Sequence, residues 1–279
     1  MNRMARLGPG HAFTAEFPFE ARRVRFWCDL RNSLAREVFF LGSYEPQETL
    51  LLPALLRKGD TCVDVGAHWG YFSLIAAVRV GPAGRVLAVE ADPRVFETLK
   101  RTLSLNPGLN VEALLVAVAA KHGTVVLNGY DECGDNWGIS SIASPQGGAT
   151  FEVRSEPLDD LLDRHRLSEV GLLKMDIEGA EVLALRGCER TLRERRIRNL
   201  LLELHPPQIA ALNSSAGHLV ELLRSQGYRL WAVDHSLGTS RAAAYGRVRD
   251  PKALLKPLQD EALDSWPHVL ASREQQPFA

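Results

Sequence analysis

The stretch Thr61-Cys62-Val63-Asp64-Val65-Gly66-Ala67-His68-Trp69-Gly70-Tyr71-Phe72-Ser73-Leu74 constrains this chain more than any other. An apolar run ends in an aspartate, two glycines bracket a tight turn, and a helical pattern follows. That is a strand, a turn and a helix start, the place where open α/β sheets bind ligands. The glycine spacing is G-x-x-x-G, which differs from the G-x-G-x-x-G of dinucleotide binders. A pyrophosphate needs bare backbone N–H groups at a helix N-terminus, and the Asp64 carboxylate would repel it. The same carboxylate suits a cationic ligand. Gly66 and Gly70 let the backbone turn sharply and come close to what it binds.

A second apolar strand, Gly84 to Glu90, ends in an acid 20 residues after Gly70. A carboxylate at the tip of that strand can accept both hydroxyls of a ribose. Ala91 follows, and Asp92-Pro93 starts a helix, with an acid at the cap and proline in the first turn. Two acid-tipped strands joined by a helix describe a nucleoside site without phosphate recognition. Four motifs carry a wider resemblance: Tyr44-Glu45-Pro46, Asp64-Val65-Gly66-Ala67, Leu173 to Glu181 around Asp176, and Glu203-Leu204-His205-Pro206. Together they resemble the FkbM family of class I S-adenosylmethionine-dependent methyltransferases, from about Gly42 to the final strand.

The resemblance implies an α/β fold: a seven-stranded Rossmann-like sheet with helices on both faces. It implies S-adenosyl-L-methionine as cofactor and a hydroxyl group on a natural product or sugar as acceptor. It implies that Tyr44 and Glu45 lie near the cofactor or acceptor, and that small residues at the end of the third strand, Ala117 among them, lie against the adenine. His68 departs from the asparagine more common after the Gly-Ala of the family.

Alternating strand and helix patterns from Asp60 onward read as one α/β domain over 42–279, preceded by an N-terminal extension, 1–41. Residues up to about Glu20 read as a loose or wrapping arm. Arg22 to Phe40 mixes strand and helix spacing and stays ambiguous. The segment from Asn128 to Gly148 lacks a core pattern and holds Tyr130 and Trp137, which suggests an acceptor-binding loop. A formal net charge of −1 gives no attraction to nucleic acid. Without an apolar leader or an 18-residue apolar run, the expectation is a cytoplasmic protein away from membranes. The four cysteines show no metal or disulfide spacing. Oligomeric state is not legible.

Methyl transfer to an alcohol needs an acceptor oxygen held near the methyl and a base for its proton. Such groups should project from the carboxyl ends of the strands. Asp176, Glu203 and His205 sit there, and Glu203 and His205, two apart, share a face. His205 is the expected base because its ordinary pKa is near neutral, with Asp176 orienting it or the acceptor. Asp176, Glu203 and His205 have the donor atoms for a Mg²⁺-class ion, so a divalent metal is possible there, but without a dense Asp/Asn set it is not favoured. His235 and His268 read as structural. Two alternatives stay open: a nicotinamide-dependent dehydrogenase, and a catalytically silent nucleoside-binding module.

Overall fold

A computed structural model describes residues 12–130, 140–142, 147–259, 263, 267–275 and 277–278. The ambiguous N-terminal pattern resolves as a hairpin and a helix. Strand β1 (Ala12–Phe19) pairs antiparallel with β2 (Arg22–Asp29). Val24, Phe26 and Cys28 alternate inward, the period of a half-buried strand. Helix α1 (Ser33–Leu41) follows, capped by the Asn32 side chain, which accepts from Ala35 N, and closed by Gly42 at φ +76°. Next come α2 (Pro46–Leu55), β3 (Thr61–Val65), α3 (Tyr71–Val80), β4 (Arg85–Glu90), α4 (Pro93–Ser104) and β5 (Val111–Leu115).

The apolar run expected to continue to Val118 breaks at Val116, whose N–H donates to Glu90 O. It resumes as β6 (Ala117–Val118), which joins β7 (Gly123–Tyr130) and β8 (Gly147–Glu156) in a small separate sheet. The expected acceptor loop is therefore shortened at both ends by strand. Trp137 lies outside the described residues, as does Cys133. The remainder runs α5 (Leu158–Arg164), β9 (Val170–Met175), α6 (Glu181–Arg186), α7 (Glu189–Arg193), β10 (Ile197–Glu203), α8 (Pro206–Ala211), α9 (Ala216–Ser225), β11 (Arg229–Val233), α10 (Leu237–Ala244), β12 (Leu255–Pro257) and β13 (His268–Ser272).

The main sheet has the order β12-β11-β13-β10-β9-β3-β4-β5. Strands β10, β9, β3, β4 and β5 are mutually parallel, and β13 runs antiparallel to both β10 and β11. Seven of these strands match the expected class I sheet. The eighth, β12, is a correction: three residues on the outer edge, short as exposed edges tend to be.

The central strands are apolar because helices cover both faces. Consecutive residues enter opposite cores: Leu173, Leu200 and Leu202 join one buried cluster, Leu172 and Leu201 the other. The N-terminal hairpin belongs to the second cluster. Phe26, fully buried, lies against Trp69 and Tyr71, and Phe17 lies 5.5 Å from the Tyr71 ring. From Ala12 onward the expected loose or wrapping arm thus packs into the core, and the second cluster takes residues from both sides of 41/42. Among the described residues no helix is long and apolar enough to cross a membrane.

The β3–α3 turn depends on one missing atom. Gly66 sits at φ +81°, and a Cβ there would stand 1.9 Å from the backbone oxygen of Asp176. Gly42 shares the left-handed conformation but has nothing within 4 Å. Gly42→Ala should therefore cost about 1–2 kcal/mol, the conformational penalty alone. Gly66→Ala should cost clearly more, because rigid backbone on two strands must separate. Urea unfolding of both variants measures the difference, and equal losses would refute the close approach.

Candidate active site

A cavity of 340 Å³ opens across the carboxyl ends of β10, β9, β3 and β4. At its β3 end the turn is tied to the next strand by backbone: Gly66 and Ala67 N–H both donate to Val89 O, at 2.9 and 3.0 Å. His68 takes a left-handed φ of 51°, stacks on Trp69, and donates its N–H to Glu90 Oε2 at 2.9 Å. Oε1 of Glu90 accepts from Ala91 N and Asp92 N, both at 2.8 Å. One carboxylate thus fastens the turns after two strands. Burial pushes Glu90 up to about 7, against the pull of those three donors.

Gly66, Ala67, His68, Glu90, Ala91 and Ala117 line the cavity, as expected of cofactor contacts. Three expected contacts do not. Asp64 is 1% exposed and lies beneath the turn, where Ser73 Oγ donates to its Oδ2 at 2.6 Å. It secures the first turn of α3 rather than facing the cavity, and burial raises its pKa. Gly70 lacks a Cβ because Leu99 Cδ1 would lie 2.7 Å from it, so it serves helix packing. Asp92 caps α4 through Arg94 N and Val95 N and accepts from Ser140 Oγ at 2.6 Å. Against its burial, hydrogen bonds from Arg94 and Ser140 hold its pKa low.

At the other end Asp176, Glu203 and His205 converge, joined by Tyr44 and Glu45. His205 Nε2 lies 3.6 Å from both Glu178 and Glu203 and 3.9 Å from Asp176, while Nδ1 lies 3.2 Å from Glu181 Oε1. Glu181 is fully buried and also accepts from the N–H groups of Ile177 and Gly179. Against burial, which pulls it down, Glu181, Asp176 and Glu178 push the His205 imidazole up to about 9. Burial, then repulsion from Asp176 and Glu45, raises Glu203. Burial, then Glu48, raises Glu45.

Lys174, part of the Asp176 motif but given no role from the sequence, is 4% exposed, lines the cavity and lies 3.7 Å from Asp176 Oδ2. Against burial, Asp176 and Asp64 hold its pKa above the ordinary lysine value. A lysine two positions before Asp176 on an apolar strand was the available signal, since both share one face. Asn32, Ser33 and Leu34 from the N-terminal extension form a wall, as do Ser140 and Ile142. Asp176, Glu178 and His205, and likewise Glu45, Asp176 and Glu203, each bring three donor atoms within 4.8 Å of one another, beside the cations Lys174 and His205.

A family-wide profile, the methyltransferase FkbM domain, matches residues 64–230, more than half of the chain. The chain belongs to the FkbM methyltransferase family. This FkbM-family protein is 30% identical to methyltransferase sdnD of Sordaria araneosa over 222 residues, 67% of this chain and 83% of that one. It is 26% identical to the 31-O-demethyl-FK506 methyltransferase FkbM of Streptomyces tacrolimicus, over 65% of this chain and 77% of that one. Among solved structures, Aeropyrum pernix fibrillarin with bound S-adenosyl-L-methionine aligns at TM-score 0.44 and 15% identity, over 95% of this chain and 84% of that one. That likeness is too distant to bear on the site.

The protein is thus an S-adenosylmethionine-dependent methyltransferase, and the nicotinamide alternative falls away. The cavity suits that cofactor: Glu90 offers a carboxylate at the β4 tip, and Val116, Ala117, Val118 and Ile142 offer a small apolar wall. Glu90→Gln replaces one acceptor oxygen by a donor. It should weaken S-adenosylhomocysteine binding about ten- to a hundredfold by calorimetry. Unchanged affinity would remove Glu90 from the ribose.

Proposed function

We propose that this FkbM-family enzyme methylates a hydroxyl oxygen of a small molecule. One observation carries the reading: His205 Nε2 faces Asp176 and Glu203 within the cavity, at the carboxyl ends of neighbouring strands. When bound, S-adenosylmethionine supplies an electrophilic methyl group. The acceptor oxygen gains the methyl and gives up its proton, and His205 Nε2 receives that proton. Asp176 and Glu203 then lie beside an imidazolium, which their charge stabilises. Lys174 holds Asp176 from its far oxygen and keeps the carboxylate in place. The relative from Streptomyces tacrolimicus, named for a 31-O-demethyl acceptor, supports oxygen as the target.

The test is a panel of alcohols, phenols and amines, with S-adenosylhomocysteine release as readout and the product's methyl placed by NMR. Methyl ethers are expected, and methylation confined to nitrogen would overturn the reading. His205→Gln keeps a donor for Glu181 but cannot take a proton. It should lose about 10²–10⁴ in turnover while S-adenosylhomocysteine affinity stays nearly constant.

The pH dependence has two opposite signs. A base works only when deprotonated, and His205 is held up at about 9, so turnover should climb as pH rises from 7 toward 9. Stability runs the other way. The folded pKa lies above the ordinary 6.5, so the stabilisation is complete below about 6.5 and is lost as pH rises through about 9. In His205→Gln the rise in rate and the loss of stability between about 7 and 9 should both shrink, leaving what Glu90 and Glu178 contribute near 7, as measured by rate profiles and thermal melts. A pH–rate profile unchanged by that substitution would reassign the base.

A further inference from the structure

Outside the cavity wall, three metal-ligating side chains from distant parts of the chain share one focus. Glu48 lies in the first turn of α2, His235 follows β11, and His268 opens β13. Glu48 Oε1 is 2.8 Å from His235 Nε2 and 2.9 Å from His268 Nδ1. The two imidazoles stack with centroids 3.8 Å apart and planes 23° apart, so both nitrogens point to one oxygen. The three ligand atoms lie within 4.8 Å of one another.

Hydrogen bonding explains half of this arrangement. Two neutral imidazoles can each donate to Oε1. They leave Oε2, which is buried and has no hydrogen-bond partner among the described residues. Buried carboxylate oxygens are ordinarily satisfied, and Glu48 is 2% exposed. A bound cation would satisfy both oxygens. Two imidazole nitrogens and a carboxylate form a borderline donor set, suited to Zn²⁺ and its neighbours rather than to Mg²⁺ or Ca²⁺.

The surroundings fit such an ion. His268 turns its other nitrogen, Nε2, toward Glu203 Oε1 at 3.7 Å. A carboxylate behind the second nitrogen is what orients metal-bound histidines. The His235 side chain is 32% exposed, which leaves an approach for the ion and room for water as a fourth ligand. The position also matters to the cavity. Glu48 is three residues beyond Glu45, and His268 lies directly opposite Glu203 across the β10–β13 pair.

We propose that Glu48, His235 and His268 bind a divalent transition-metal ion of the zinc class, clamping α2 to the C-terminal strands behind the cavity. The test uses the full chain, stripped with chelator and titrated with Co²⁺, whose visible absorption reports tetrahedral or five-coordinate nitrogen–oxygen ligation. One equivalent should produce the bands, and Zn²⁺ should abolish them. His235→Ala, at the exposed corner, should weaken Co²⁺ binding about a hundredfold or more, with the melting curve checking that it folds. His235→Cys should restore binding and add a sulfur-to-cobalt charge-transfer band. Glu203→Gln, which removes the carboxylate behind His268, should weaken Co²⁺ binding about ten- to a hundredfold, whereas Asp176→Asn, which touches none of the three ligands, should leave it within several-fold of the parent. Absence of cobalt bands in the parent would overturn the proposal. So would binding that survives His235→Ala but is lost in Asp176→Asn, because the ion would then sit among the cavity carboxylates.

Discussion

The close approach of two backbones holds this site together. At Gly66 the chain turns out of β3 where the carbonyl of Asp176 occupies the space a side chain would need. Asp176 N–H in turn donates to Val65 O. The carboxyl ends of β3 and β9 are therefore drawn into contact, and the Asp176 carboxylate is delivered to the cavity by its own main chain. The turn also bonds to Val89 and Glu90 on the other side. Three adjacent strands thus end in one hydrogen-bonded knot whose only required side chains are an absent one and a glutamate.

Upon that frame sits a charge arrangement that an isolated acid could not survive. Burying a carboxylate costs several kcal/mol unless partners answer it. Here Glu45, Asp176, Glu178, Glu181 and Glu203 share two cationic neighbours, Lys174 and His205. The result is a compromise: burial pushes Glu178 up to about 7, and the surrounding acids raise His205 to about 9. Both cations are almost fully buried, so their charge acts at low dielectric and reaches the cavity with little screening.

Much of this was legible in the chain. Acid-tipped strands, the G-x-x-x-G turn and the Asp176 motif located four neighbouring strand ends correctly, because periodicity and turn chemistry are local. Asp64 was misplaced for an equally local reason: a residue one short of a strand end points beneath the turn when its neighbour points into the cavity, and sequence does not say which face is which. The hairpin was obscured by Arg22, Arg23 and Arg25, the solvent-facing partners of inward Val24 and Phe26. Glu48 and His235 are 187 residues apart, and nothing in their local context announces the contact. Only the crossing of α2 beneath the terminal strands brings them together.

The wall formed by Asn32, Ser33, Leu34, Tyr44 and Glu45 has an origin worth following. The family-wide profile begins at Asp64, yet these residues line the same cavity from earlier in the chain. The pocket is therefore assembled from two stretches of the chain that share one core. One carries the turn, the strand tips and most of the acid–imidazole cluster; the other, packed into the second core cluster, contributes Glu45 and a wall beside them. Exchanges at Ser33 and Leu34 would reshape that wall, whereas changes at Glu45 would also reach Glu203 and Lys174. A library confined to Ser33 and Leu34 would vary the shape of the cavity while every member of the acid–imidazole cluster keeps its place.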